Sequence, residues 1–166
     1  FPVRSSVDLS MNQLEVGGSL GAQVVNETVP LALADMTQIN VRHQTGAGHL
    51  DTVQQTYAQQ DIEPNSYHII EFIDDMPAAY AWAGLIICRA GALTVAEVSA
   101  VGVTAIFVPL PHAVDDHQTK NAQTLVDMQA AYLLPQSELT AHRLQQLLQK
   151  HVLYPQTLIE MGKRSK

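Results

Sequence analysis

The chain has 166 residues, 46% of them hydrophobic and 15% charged, with 9 Lys plus Arg against 16 Asp plus Glu and a formal net charge of −7. This is the size and apolar content of one domain with its own core. It excludes disordered, collagen-like and disulfide-stapled chains, because 9 Gly and 8 Pro are few and a single cysteine, Cys88, closes no internal bridge. A negative chain without a clustered basic surface argues against a nucleic-acid partner. No apolar run reaches the roughly 18 to 20 residues that cross a bilayer and no charged-then-apolar leader opens the sequence, so a reducing, cytoplasmic setting with at most peripheral membrane contact is expected.

Short apolar runs alternate with helix-like stretches. The pattern predicts strands at 13–16, 38–43, 67–72, 85–88, 105–108 and 131–134, and helices at 22–34, 48–60, 75–83, 93–101, 117–128 and 140–151. The runs Leu85-Ile86-Ile87-Cys88 and Ala105-Ile106-Phe107-Val108 are apolar throughout, so both of their faces are covered. The expected class is α/β, a Rossmann-like parallel sheet with helices on both faces. Residues 11–16 are polar for a buried strand, which points either to an edge position or to residues missing from this stretch of the sequence. Ligand sites in such sheets lie at the carboxyl ends of the strands.

The loops at those ends supply the candidates. Gly17-Gly18-Ser19-Leu20-Gly21-Ala22 joins a strand to a helix, where glycine permits tight turning and the helix start favours an anion or a sugar hydroxyl; a plain turn fits equally well. Asp74 or Asp75 after the third strand is a natural helix cap, and the main chain of Ile73 beside them offers N–H and C=O to a planar heterocycle.

Arg89-Ala90-Gly91-Ala92-Leu93-Thr94-Val95-Ala96-Glu97 is the most informative loop. Small residues leave the first-turn amides open, and the helix dipole adds roughly half a positive charge there, which suits a diphosphate. Glu97, one turn in, is placed either to accept from vicinal ribose hydroxyls or only to be solvated. Gln118 and Asn121, three apart at the start of a later helix, share a face and suit sugar hydroxyls. Asp115, Asp116 and His117 form a cluster, but neighbours at a helix start diverge and no second group completes a metal site, so no metal or other cofactor is expected. His43, His49, His68, His112, His142 and His151 lack metal spacing and read as polar surface or capping groups, while Cys88 reads as a small core residue. No nucleophile elbow and no Gly-Lys-Ser phosphate loop is present, which disfavours hydrolases and nucleoside triphosphatases.

Taken together, the segments at 17–22, 72–76, 88–94 and 116–122 resemble the C-terminal, donor-binding half of the MurG family, bacterial two-domain GT-B transferases that add N-acetylglucosamine to undecaprenyl-diphospho-muramoyl-pentapeptide. The likeness covers essentially the whole chain, and Pro2-Val3-Arg4 is similar to the family's inter-domain segment, here residues 1–10. The resemblance implies that residues 1–166 form a UDP-sugar donor-binding domain whose C-terminal helix, near 155–166, crosses back to a preceding domain. It implies that Ile73 contacts uracil through its main chain and that Ala92, Leu93, Thr94, Val95, Ala96 and Glu97 hold diphosphate and ribose, with Gly91 and Arg89 beside them. Arg4 and Ser19 match nucleotide-contacting positions, and Gln118 with Asn121 would take the transferred sugar. The implied reaction is an inverting hexosyl transfer in peptidoglycan synthesis at the cytoplasmic face of the bacterial inner membrane, with the base, the lipid acceptor site and the peripheral membrane surface in an N-terminal domain that this sequence lacks. The segment at 7–16 is shorter and more polar than the family's. The alternatives are the donor subunit of a two-chain transferase, a UDP-sugar epimerase and a diacylglycerol glycosyltransferase.

Overall fold

The computed structural model describes residues 11–16 (backbone only), 23–36, 39–111 and 117–165. In chain order the elements are β1 (Met11–Val16), α1 (Gln23–Leu33), β2 (Ile39–Gln44), α2 (Leu50–Gln59), β3 (Tyr67–Ile70), α3 (Met76–Trp82), β4 (Leu85–Cys88), α4 (Ala92–Val101), β5 (Thr104–Phe107), α5 (His117–Asp127), β6 (Ala131–Leu133), α6 (Ala141–Leu153) and α7 (Gln156–Arg164). The strands form one parallel sheet in the order β3-β2-β1-β4-β5-β6. That order reverses direction between β1 and β4, the place where open sheets of this type bind ligands.

Every residue of β4 and β5 is buried, and successive side chains serve opposite faces. Leu85, Ile87 and Ile106 join Val25, Val29, Val53, Tyr57, Leu144 and Leu148 of α1, α2 and α6 in one core. Ile86, Cys88, Ala105 and Phe107 join Ala79, Tyr80, Val98 and Leu125 of α3, α4 and α5 in the other. The helix boundaries follow local chemistry. Asp75 caps α3 by accepting from Ala78 N at 3.1 Å, Thr140 caps α6 by accepting from Arg143 N at 3.1 Å, and Gly102 ends α4 in the left-handed region at φ 75°.

Three expectations are corrected. β1 is not an edge strand: it pairs with β2 on one side and β4 on the other. The crossovers through α1 and α2 lay β2 and β3 on one side of it, so the returning chain must place β4 on the other, whatever the polarity of β1. β3 ends at Ile70 rather than residue 72, because the chain beyond it turns into the loop that leads to α3. His43 and His151 are both fully buried rather than superficial.

Each of those histidines is satisfied on both ring nitrogens. Asn26 Nδ2 donates to Thr45 O at 3.1 Å, which turns Asn26 Oδ1 towards His43 Nε2 at 2.8 Å, while Tyr57 Oη meets Nδ1 at 2.8 Å. An amide oxygen only accepts, so His43 carries its proton on Nε2. At His151 the order is reversed. The Thr157 hydroxyl donates to Tyr154 O at 2.7 Å and therefore accepts from His151 Nδ1 at 2.9 Å, leaving Nε2 to accept from Tyr132 Oη at 2.9 Å. Burial, with the Lys150 charge adding to it, lowers the His151 pKa to about 4.

α7 packs on its own sheet. Thr104 Oγ1 donates to Leu158 O at 2.8 Å, Arg164 Nη1 donates to Gln129 O at 3.2 Å, and Gly162 lies so close to Gly102 that an added Cβ would sit 2.2 Å from Gly102 O. A Gly162→Ala variant is therefore expected to lose about 1 to 3 kcal/mol of stability in chemical denaturation, because one of two backbones must move. Between about pH 4 and 6.5 the unfolded chain binds a proton at His151 that the folded chain refuses, so stability is present above that window and falls as pH is lowered through it. Urea midpoints should show a loss of about 2 kcal/mol between pH 7 and pH 5, and a His151→Gln variant should flatten that slope.

Candidate functional site

The loops that follow β2, β3, β4 and β5 gather at the carboxyl end of the sheet, and those after β3, β4 and β5 lead to the described candidates. β4 delivers the chain into Arg89-Ala90-Gly91, and Gly91 is the residue preceding α4, with φ −61° and ψ 150°. Its carbonyl accepts from Val95 N at 3.0 Å, the first helical bond. By helix geometry the N–H groups of Ala92, Leu93 and Thr94 have no intrahelical acceptor, and no acidic side chain stands in the first turn to neutralise them. Among the described residues the space around them is open: a Cβ on Gly91 would meet nothing within 4 Å, and Leu93 is 73% exposed. Arg89 lies beside this turn, but its Nη1 donates to Val108 O at 3.3 Å and Pro109 O at 3.2 Å, so it ties the β4 loop to the β5 loop while burial lowers its pKa.

Glu97, one turn further, is half-buried and faces Tyr80, which is buried on α3 beside Thr94. Burial first, then the charges of Cys88 and Glu97, push the Tyr80 pKa far above its ordinary value, so Tyr80 remains a protonated donor. Val95 turns into the core beside α3 and α5, and Ala96 is exposed on the helix surface.

α5 brings two amides to the same loop. Gln118 Oε1 accepts from Ala90 N at 3.1 Å and from Leu110 N at 2.9 Å, and Asn121 Nδ2 donates to Ala90 O at 3.1 Å. Because both partners of Gln118 Oε1 are N–H donors, the amide orientation is determined, and Nε2 is the end left for other contacts. Ile73, in the loop after β3, is anchored at the end of β2, on the other side of β1 from β4, and its side chain packs against the same core cluster as Cys88 and Ala90. Its N–H donates to Gln44 Oε1 at 2.7 Å, and the adjoining backbone continues the ladder through Thr45 N to Ile70 O at 2.9 Å and Gly46 N to Glu71 O at 3.0 Å. Of the two main-chain groups expected at Ile73, the N–H is thus engaged within the chain.

Arg4, Ser19 and the glycine loop at 17–22 lie outside the described residues, as do Asp115 and Asp116. Among the described residues no group of three His, Cys, Asp or Glu side chains is placed to hold a metal ion, and no helix is long and apolar enough to cross a membrane. Gln44 and Tyr80 escaped the sequence reading. The available signals were a polar residue closing a buried strand, and a tyrosine on an apolar helix face that needs a partner for its hydroxyl.

A Gln44→Leu variant would leave the Ile73 N–H without its acceptor. It should cost about 1 kcal/mol of stability and speed amide exchange at Ile73, read by NMR.

A family model described as "Glycosyltransferase family 28 C-terminal domain" matches residues 14–166. A protein of Pseudoalteromonas atlantica named "UDP-N-acetylglucosamine--N-acetylmuramyl-(pentapeptide) pyrophosphoryl-undecaprenol N-acetylglucosamine transferase" is 57% identical over 162 residues, covering 98% of this chain and 42% of the relative. Among solved structures, Acinetobacter baumannii MurG superposes with a TM-score of 0.88 at 45% identity, covering 97% of this chain and 46% of that one. The UDP-GlcNAc 2-epimerase of Neisseria meningitidis superposes at 0.63 with 11% identity, over 92% of this chain and 38% of the other, a likeness of fold alone. The chain thus spans less than half the length of these relatives.

Proposed function

The chain belongs to the glycosyltransferase family 28 C-terminal domain family, and on that premise we propose that it is the donor-binding half of an inverting transferase that moves N-acetylglucosamine from UDP-N-acetylglucosamine to lipid-linked muramoyl-pentapeptide. The observation that carries this reading is the open first turn of α4, led in by Gly91 and placed beside the reversal point of the sheet. Oriented N–H groups there suit two phosphoryl groups, and Glu97, beside Tyr80, suits the vicinal hydroxyls of a ribose. Uracil would lie against Ile73 and the hexose against Gln118 Nε2, with Arg4 and Ser19 taking further nucleotide contacts. The name of the Pseudoalteromonas atlantica relative supplies the donor, the acceptor and the reaction.

When the bond between the anomeric carbon and the β-phosphate oxygen breaks, its electron pair stays on UDP, and negative charge grows on the diphosphate. The amides of Ala92 to Thr94 are already aimed at that charge, so no reorganisation is required as it develops. A hydroxyl of the acceptor forms the new bond from the opposite face and loses its proton to a base supplied by a second domain. Closure of the two domains brings acceptor and donor together. In this reading the protein works peripherally at the cytoplasmic face of the inner membrane, the lipid side being handled by the other domain.

Isothermal titration should show UDP-N-acetylglucosamine binding in competition with UDP. Glu97→Ala should weaken it by about 1 to 3 kcal/mol through loss of charged hydrogen bonds; equal affinity in both proteins would remove Glu97 from the site. Release of free epimerised sugar, instead of glycosylated lipid, would assign the full-length protein to the epimerase reading.

A further inference from the structure

Asn121, read from sequence as a sugar contact, is engaged elsewhere. Its Nδ2 donates to Ala90 O at 3.1 Å, while Gln118 Oε1, one turn earlier on α5, receives Ala90 N–H at 3.1 Å. Both backbone polar groups of one fully buried residue are therefore held by one helix face. The carbonyl of Ala90 shares its peptide plane with the N–H of Gly91, and in a trans peptide the two point in opposite directions. An Ala90 carbonyl fixed towards α5 consequently turns the Gly91 N–H away from α5, at the threshold of the first turn of α4.

Without that bond the plane can flip. A flip rotates φ of the following residue by about 180°, from −61° at Gly91 to about +120°, a value that glycine tolerates and other residues do not. The flipped plane would present a carbonyl oxygen, negative end outward, where a phosphate oxygen is to sit. We infer that Asn121 is a positioning residue that locks the Ala90–Gly91 peptide with its N–H available to the diphosphate. This inference rests on the donor-binding reading above and deepens it.

The test compares uridine, UDP and UDP-N-acetylglucosamine by calorimetry in the full-length protein. Asn121→Ala should leave uridine unchanged and weaken UDP and UDP-N-acetylglucosamine by the same factor, about tenfold, the worth of one ordinary hydrogen bond. Gly91→Ala disfavours the flipped plane, and its added Cβ meets no protein atom within 4 Å. In that background the loss caused by Asn121→Ala should shrink. A variant that loses only UDP-N-acetylglucosamine and keeps UDP would overturn the inference and return Asn121 to the sugar. Equal weakening of uridine, or an undiminished loss in the Gly91→Ala background, would overturn it as well. Failure of the unsubstituted protein to bind UDP would overturn the donor reading together with the inference, whereas UDP binding that ignores Asn121 overturns the inference alone.

Discussion

β4 is the constraint from which the rest of the site follows. Four apolar residues, none exposed beyond 1%, interlock with both helical layers and with strands on either side. A strand held that firmly delivers its last residue to a defined point, and the next three residues must turn from sheet into helix within the space that remains. The two backbone polar groups of Ala90 in that turn are satisfied by a neighbouring element. Arg89 reaches the β5 loop, and α5 supplies acceptor and donor to Ala90. The amides left over are those at the helix start, on the open side of the molecule.

The sequence was most legible where burial dictates composition. Leu85-Ile86-Ile87-Cys88 sits in the sheet at the residues expected, since only a strand covered on both faces is apolar at every position. Asp75 as a cap and the glycine-led start of α4 were legible for a similar reason, because few residue types serve those backbone positions. β1 was misread because a central parallel strand is placed by its two ladders and by the direction of the crossovers, and side-chain polarity carries neither.

The polar interior was less legible. His43 and His151 each depend on partners brought in from other elements, such as Asn26 and Tyr57 for one and Tyr132 and Thr157 for the other. A residue type alone does not announce a partner 14 or 19 positions away. The same holds for Gln44 at Ile73, joined across 29 residues. Within the candidate site, sequence spacing put Gln118 and Asn121 on one face correctly, yet the backbone they engage became visible only in three dimensions.

The glycine pair behind α4 bears on what that end of the helix tolerates. The far end of that helix meets the backbone of the last helix with no side chain between them, at Gly102 and Gly162. The terminal helix is joined to that end of α4 by the Ser99 and Ser165 hydrogen bonds as well, so the last helix and the back of the candidate site share one seam.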